Sequence, residues 1–123
     1  MAIHRSTFLS TVTERGFVHQ CTAPDELDAA LAEGEPKLCY IGFDCTADSL
    51  HVGHLVPLLT LRRFQDTGHR PVALAGGATG MIGDPSGRSE ERNLLDGEVL
   101  SSHVAAVAAQ LRAFLRFNDL RPN

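Results

Sequence analysis

The segment at residues 40–55, YIGFDCTADSLHVGHL, constrains this chain most, because a short apolar run leads directly into two histidines three residues apart. That spacing places His51 and His54 on one side of a helical turn, and Gly53 between them leaves the backbone open to a ligand. If a helix begins near Ser49, its first N–H groups and its dipole favour an anion. The segment predicts a polyphosphate cradle of imidazoles and helix amides. Two solvated histidines are the alternative, since four-residue patterns recur by chance.

Two short helices are predicted ahead of this segment. Ser6 can cap the first, which Gly16 would stop, and Thr22 with Asp25 resembles a capping box before a second helix that ends at Gly34. Three apolar side chains of the first helix are expected to face inward: Phe8, Leu9 and Val12.

A strand and a longer helix follow. Residues 37–43, KLCYIGF, form a short apolar run that is typical of a buried strand. Residues 50–64 repeat apolar side chains at helical spacing before Gly68. Pro57 lies inside this helix, so it either kinks the helix or marks its first turns.

The second half repeats the order of strand, loop and helix. Residues 71–74 predict another short strand, and residues 99–117 an amphipathic helix with four side chains on one side: Val104, Val107, Leu111 and Phe114. After this strand comes a long loop that contains Gly76, Gly77, Gly80, Gly83 and Gly87. The order β-α-β-loop-α predicts an α/β fold with parallel strands joined by a right-handed crossover. Ligands then bind beyond the carboxyl ends of the strands.

Composition limits the function classes. The 123 residues, 43% of them hydrophobic, suit one domain with a real core. A net charge of −4 gives no overall basic footprint for nucleic acid, and the arginines at 62, 63 and 70 fit a solvated helix end equally well. Three cysteines without a CxxC spacing suit a reducing compartment, and no apolar run has the length of a signal or membrane segment. We therefore expect a soluble cytoplasmic protein without membrane contact.

Metal binding is not expected. Cys45, His51 and His54 offer three ligand types, but a fourth ligand is not evident and no CxxC pair is present. The sequence therefore predicts no zinc site.

A second motif makes the first one specific. Residues 40–55 together with residues 75–92, AGGATGMIGDPSGRSEER, resemble bacterial tyrosyl-tRNA synthetases, which are class I aminoacyl-tRNA synthetases. The similarity runs from about Gly16 to Phe117. The related tryptophanyl enzymes usually carry asparagine at the position of His54 and lack the GDPSGR-type loop, so the tyrosine family is the better match.

The resemblance implies a fold and an activity. Residues 1–36 would form a helical lead-in, and residues 37–123 the first half of a Rossmann-like catalytic domain with a parallel nucleotide-binding sheet. The activity would be tyrosine activation by ATP, with Mg²⁺ on the phosphates, and transfer to tRNA(Tyr).

The resemblance also assigns ATP contacts to the first motif. Thr46 and His51 match family residues at the γ-phosphate, and Gly53 and His54 match those beside the adenine and ribose. The full ATP-binding set is Gly42, Asp44, Thr46, His51, Gly53 and His54. A plain turn hydroxyl is the alternative for Thr46.

Tyrosine binding is assigned to four residues: Tyr40, Asp44, Thr79 and Asp84. Tyr40 matches the residue that bonds the substrate phenol, and Asp84 the one that contacts the substrate ammonium. A buried core tyrosine and ordinary turn aspartates are the alternatives.

Arg88 and Arg92 complete the catalytic set with Thr46, His51 and His54. Four residues apart, the two arginines can project to one side and bind pyrophosphate as charged forks. In the family they match basic residues of a mobile loop, the first of which is often lysine. Ion pairs with the neighbouring glutamates are the alternative, and the loop is not a Walker A motif because GxxxxGK[ST] is absent.

Parts of such an enzyme lie outside this sequence. The KMSKS-type loop needs lysines, and the only lysine is Lys37. We therefore expect the N-terminal portion of a catalytic domain, with an open sheet edge and little activity alone. tRNA contacts and the homodimer interface of full-length family members would lie elsewhere. A non-catalytic nucleotide-binding or interaction fragment is the alternative, and another nucleotidyl transferase with HxGH a distant third.

Overall fold

The computed structural model describes residues 3–76 and 97–117. In chain order its elements are α1 (Thr7–Glu14), α2 (Pro24–Leu31), β1 (Leu38–Asp44), a 3₁₀ turn (Val52–His54), α3 (Leu55–Asp66), β2 (Arg70–Gly76) and α4 (Gly97–Phe114). Part of the predicted glycine loop lies outside the described residues. None of the described helices is long and apolar enough to cross a membrane.

Helix α1 forms as predicted. The Ser6 hydroxyl accepts a hydrogen bond from the Leu9 N–H at 3.0 Å, which satisfies one of the unpaired amides at the helix start. Leu9 and Val12 are buried and Phe8 packs beside them. Gly16, at φ +76°, adopts the left-handed conformation that ends many helices.

Helix α2 begins differently from the prediction. The capping box of Thr22 and Asp25 is wrong, because the N-cap is Ala23, at φ 50°, with no side-chain cap bond. Pro24 occupies the first turn, where its missing N–H costs nothing. The helix ends at Leu31 rather than at Gly34.

Asp28 ties α2 to the start of α1. Its buried carboxylate accepts hydrogen bonds from the backbone N–H groups of Arg5 and Ser6, both at 2.9 Å. These two bonds lower the pKa of Asp28 below its ordinary value. The N-terminal segment is therefore fixed to the second helix by a charged cap.

The two strands are parallel, as predicted, with Leu38 opposite Arg70 and Asp44 opposite Gly76. The prediction of a buried first strand is wrong, because its side chains alternate. Phe43 is 1% exposed on the face that α3 and α4 cover, whereas Leu38 is 67% exposed on the other face. The described helices pack on one face only, so every second side chain of β1 remains open to solvent.

One core lies between this sheet face, α3 and α4. Its buried members are Phe43, Cys45, Leu58, Leu61, Leu100, Val107, Leu111 and Leu115. A second cluster joins α1 and α2 to α3: Leu9, Val12, Leu31 and Phe64. Together the two clusters hold α3 against both the sheet and the N-terminal helices.

The observed bounds of α3 and α4 differ from the predicted ones. The α-helix begins at Leu55 instead of residue 50, so Pro57 lies in its first turn, the second of the two predicted possibilities. In α4, Val107 and Leu111 are buried as expected, but Phe114 is 36% exposed. The helix ends at Phe114, and the turn that follows brings Leu115 into the core instead.

Candidate active site

The candidate site lies where β1 ends and the histidine turn begins. Asp44 closes the strand and pairs with Gly76 of β2, so the carboxyl ends of both parallel strands meet here. Residues 45–50 form a loop between β1 and the turn. In parallel sheets this edge is where ligands bind.

A cavity of about 220 Å³ opens at this edge. Its lining residues are Gly42, Phe43, Asp44, Thr46, Ala47, Ser49, His51, His54 and Pro57. Five of them belong to the predicted ATP-binding set: Gly42, Asp44, Thr46, His51 and His54. The structure therefore brings most of that set together around one cavity.

The two histidines close their turn by bonding to their own backbone. The His51 Nδ1 atom accepts from the Gly53 N–H at 3.0 Å, and the His54 Nδ1 atom accepts from the His51 N–H at 3.0 Å. This is a reciprocal capping box made of imidazoles. The two rings stack with centroids 3.8 Å apart, so the predicted same-side placement is confirmed on a 3₁₀ turn.

These bonds fix the tautomer of both rings. A neutral imidazole has one donor and one acceptor nitrogen, and here Nδ1 is the acceptor in each ring. The ring hydrogen is therefore on Nε2, which is the atom available to donate to a ligand. Partial burial and the neighbouring His51 lower the pKa of His54, against a smaller opposing effect of Asp44. The neutral form of His54 is thereby favoured.

The predicted cradle needs one correction. We expected the first amides of the helix to face an anion, but the N–H groups of His51 and Gly53 donate to imidazole nitrogens. The donors offered to a ligand by these two histidines are consequently ring N–H groups.

The presence of glycine at position 53 has a local steric reason. A Cβ atom at this position would lie 2.9 Å from the His51 Cε1 atom and 3.0 Å from its Nδ1 atom, closer than van der Waals contact. The glycine leaves room for the imidazole that folds back over it. This reason differs from the predicted approach of a ligand to the backbone.

Helix α4 contacts the loop at residues 45–50 from a distance in sequence. The His103 Nδ1 atom lies 3.3 Å from the carbonyl oxygen of Cys45, and the Gln110 side chain bonds to Ser49 and Leu50. Neither α4 residue is predicted from the sequence, because a histidine and a glutamine on an amphipathic helix carry no signal of a partner about 60 residues away.

Tyr40 is not a core residue. Its side chain is 69% exposed. Tyr40 lies on the same face of β1 as Gly42, and Gly42 is two residues closer to the site. The alternative of a buried strand tyrosine is therefore wrong. A role in tyrosine binding stays a prediction.

Four predicted residues lie outside the described part of the chain: Thr79, Asp84, Arg88 and Arg92. The chain leaves β2 at Gly76, which pairs with Asp44 at the site. Across residues 3–76 and 97–117, no three His, Cys, Asp or Glu side chains are grouped so that they could hold a metal ion.

The sequence matches one protein family over most of its length. The family described as tRNA synthetases class I (W and Y) matches residues 32–122.

Individual relatives agree with this match. The chain is 52% identical over 119 residues to a tyrosine–tRNA ligase of Rhodospirillum rubrum, covering 97% of this chain and 28% of the relative. It is 55% identical over 112 residues to a tyrosine–tRNA ligase of Opitutus terrae, covering 91% of this chain and 26% of the relative. The chain thus spans about a quarter of the length of these curated relatives.

Two solved structures share the fold. A C-terminally truncated mitochondrial tyrosyl-tRNA synthetase of Aspergillus nidulans superposes with a TM-score of 0.75 at 34% identity, covering 85% of this chain and 29% of that one. The corresponding Coccidioides posadasii protein gives a TM-score of 0.72 at 36% identity, covering 86% of this chain and 27% of that one. The Rossmann-like class of the fold is confirmed by these neighbours.

Proposed function

The chain belongs to the family of class I tRNA synthetases (W and Y), and we propose that it forms the ATP-activating portion of a tyrosine–tRNA ligase. The observation that carries the proposal is the cavity at the end of β1, where five residues of the ATP-binding set meet around two stacked histidines. The relatives named as tyrosine–tRNA ligases support the choice of tyrosine.

The reaction would join the tyrosine carboxylate to the α-phosphate of ATP, with pyrophosphate as the leaving group. Negative charge on the phosphate oxygens rises in the transition state, and donors held in place for that charge lower the barrier. The Nε2–H groups of His51 and His54 and the Thr46 hydroxyl are such donors. Because backbone bonds already fix both rings, little reorganisation is needed when ATP binds.

Mg²⁺ would accompany the ATP phosphates and neutralise part of their charge. Among the described residues lining the cavity, Asp44 is the only acidic one. A single carboxylate fits an ion bound mainly by phosphates and water, which is the usual arrangement for Mg²⁺.

Other contacts complete the proposal. Tyr40, Asp44, Thr79 and Asp84 would bind tyrosine. The arginines at 88 and 92 would bind pyrophosphate as it leaves, which requires charge-fixed donors.

Further partners are proposed for the full-length ligase. tRNA(Tyr) binding, homodimer formation and the second triphosphate-binding loop would be supplied by sequence beyond the quarter matched here. The domain division at residue 37 and the cytoplasmic location stay predictions.

The test is ATP–pyrophosphate exchange by a full-length ligase carrying this segment. We expect exchange that depends on tyrosine, and we expect the 123-residue chain alone to bind ATP weakly and to charge no tRNA, because an incomplete pocket buries less of each ligand. If the full-length protein binds ATP equally well whichever amino acid is added, the non-catalytic alternative is favoured. Robust charging by the chain alone would show that further sequence is dispensable.

Tyr40→Phe tests the tyrosine assignment. If the Tyr40 hydroxyl meets the substrate phenol, removing it lowers the discrimination between tyrosine and phenylalanine, since phenylalanine no longer leaves a polar group of the site unpaired. The measurement is the ratio of kcat/KM values for exchange with the two amino acids. Because Tyr40 is 69% exposed, stability should change by less than about 0.5 kcal/mol. An unchanged ratio would remove Tyr40 from the proposed site.

A further inference from the structure

One face of α4 forms hydrogen bonds to both ends of the site loop, residues 45–50. At the start, His103 Nδ1 lies 3.3 Å from the Cys45 carbonyl oxygen, which can only accept, so this nitrogen is the donor. At the end, Gln110 Oε1 accepts from the Leu50 N–H at 2.7 Å, and Gln110 Nε2 donates to the Ser49 hydroxyl at 3.0 Å. Residues seven apart lie on the same helix face. A single face of α4 therefore spans the loop.

Glutamine suits the second contact chemically. Leu50 N–H requires an acceptor and the Ser49 hydroxyl receives a donor, and a carboxamide offers both on neighbouring atoms. The Ser49 hydroxyl in turn donates to the Leu50 carbonyl oxygen at 2.8 Å. Both polar groups of the Leu50 backbone are thus engaged immediately before His51.

The contact determines how the chain enters the histidine turn. Leu50 and His51 share a planar peptide bond, and the His51 N–H is the donor that orients the His54 ring. Displacing Leu50 would tilt that peptide and change the direction of both imidazoles. Thr46 lies in the same loop, between the two α4 contacts.

We propose that Gln110 is a positioning residue for ATP activation, which holds Ser49 and Leu50 so that Thr46 and His51 keep their relative geometry. The inference rests on the proposed function. Gln110 acts through the loop and the turn, and it touches no reacting atom.

The fold contains a matched control at the opposite end of α3. The Gln65 side chain donates to the Arg116 carbonyl oxygen at 2.6 Å and accepts from the Arg116 N–H at 2.9 Å. Like Gln110, it ties two elements together by a carboxamide with one donor and one acceptor bond. Gln65 lies near the end of α3 (Leu55–Asp66), about 16 Å along the helix from the histidine turn at 1.5 Å per residue.

The experiment compares Gln110→Met with Gln65→Met in a full-length ligase carrying this segment. Each change removes two hydrogen bonds and keeps the side-chain length. We expect Gln110→Met to slow single-turnover formation of tyrosyl-adenylate about tenfold at saturating ATP and tyrosine, since small misplacements of reacting groups cost this much. Gln65→Met should retain the parent rate while lowering the melting temperature similarly.

A double-mutant cycle measures the coupling between two residues, which a general loss of stability would not produce. Gln110→Met and Ser49→Ala remove the two partners of one bond, so their effects on the single-turnover rate should not add. Additive effects, or equal rate losses in the Gln110 and Gln65 variants, would overturn the positioning role.

His51→Ala in the same assay separates this inference from the proposed function. A slow His51→Ala enzyme with a normal Gln110→Met enzyme refutes the positioning role alone. A His51→Ala enzyme that forms adenylate at the parent rate refutes the proposed site, and the positioning role with it.

Discussion

The histidine turn at residues 51–54 and the loop at residues 45–50 belong to one motif but are held in different ways. The turn is closed by bonds between residues two and three positions apart. The loop forms hydrogen bonds to His103 and Gln110 of α4, and the bonded residues are separated by 58, 60 and 61 positions in the sequence. One half of the site therefore forms from short-range sequence, whereas the other half depends on the packing of a distant helix.

The comparison shows why a recognisable motif is not yet a working site. A single hydrogen bond contributes about 0.5–1.5 kcal/mol net to stability, which is small beside the whole fold. Its effect on catalysis can be larger, because donors must be in place before the charge develops. The motif names the donors, and the core between the sheet, α3 and α4 decides whether the loop presents them.

His51→Ala should have the largest effect, because it removes a donor and opens the turn. We expect adenylate formation in the full-length ligase to slow by roughly 10²-fold or more, the usual loss for one transition-state donor. Single-turnover kinetics and an ATP titration separate the rate from ground-state binding. A raised ATP dissociation constant with an unchanged rate would contradict the proposed role.

Gly53→Ala tests the turn without removing either histidine. The new Cβ would lie 2.9 Å from the His51 ring, so the ring must rotate away and lose its bond to residue 53. Adenylate formation should slow about tenfold through misplacement of that ring, with a stability loss of about 1 kcal/mol or less because the half-exposed turn can adjust. Gly97→Ala is the control, since a Cβ there meets no atom of the described residues within 4 Å. Equal rates in the two variants would show that the ring needs no such space.

Ser49→Ala tests the loop with a smaller change. It removes the bonds of the Ser49 hydroxyl to Gln110 and to the Leu50 carbonyl oxygen, while the Leu50 N–H keeps its acceptor. We expect the adenylate rate to fall about twofold to fivefold, the equivalent of about 0.5–1 kcal/mol. Ser101→Ala, on α4 where the hydroxyl donates to the Gly97 carbonyl oxygen of the same helix, should leave the rate unchanged. A loss as large as that of Gly53→Ala would mean that the loop is as sensitive as the turn.

Acid should weaken the turn slightly. The pKa of His54 is lowered from its ordinary 6.5. The pKa of His69 is also lowered, first by burial and then by the positive charge of Lys37. These histidines bind protons at higher pH in the unfolded chain than in the folded one, so their contribution to stability falls as pH drops below about 6.5 and levels off below their folded pKa values. Denaturant unfolding between pH 5 and 8 checks this. His54→Asn should flatten the profile, and a profile unaffected by His54→Asn would contradict the assignment.

Much of the fold followed from the sequence. The Ser6 cap, the glycine stop of α1, the parallel strands and the burial of Val107 and Leu111 on α4 were predicted, because caps, turn residues and apolar periodicity act over a few residues. The errors lay where several local solutions compete. Pro24 at the first position of α2 overrode the expected capping box, and the 3₁₀ turn delayed the start of α3 to Leu55.

The site divides in the same way. The donors and the turn follow from the sequence, since the hydrogen bonds that close the turn and the stacking of its two rings join residues within positions 51–54. Tertiary structure alone decided which face of β1 is open, why Tyr40 is exposed, and that Gln110 and His103 hold the loop. Periodicity tells which side of a helix meets the core, but it does not tell which loop a polar side chain at the edge of that side will reach.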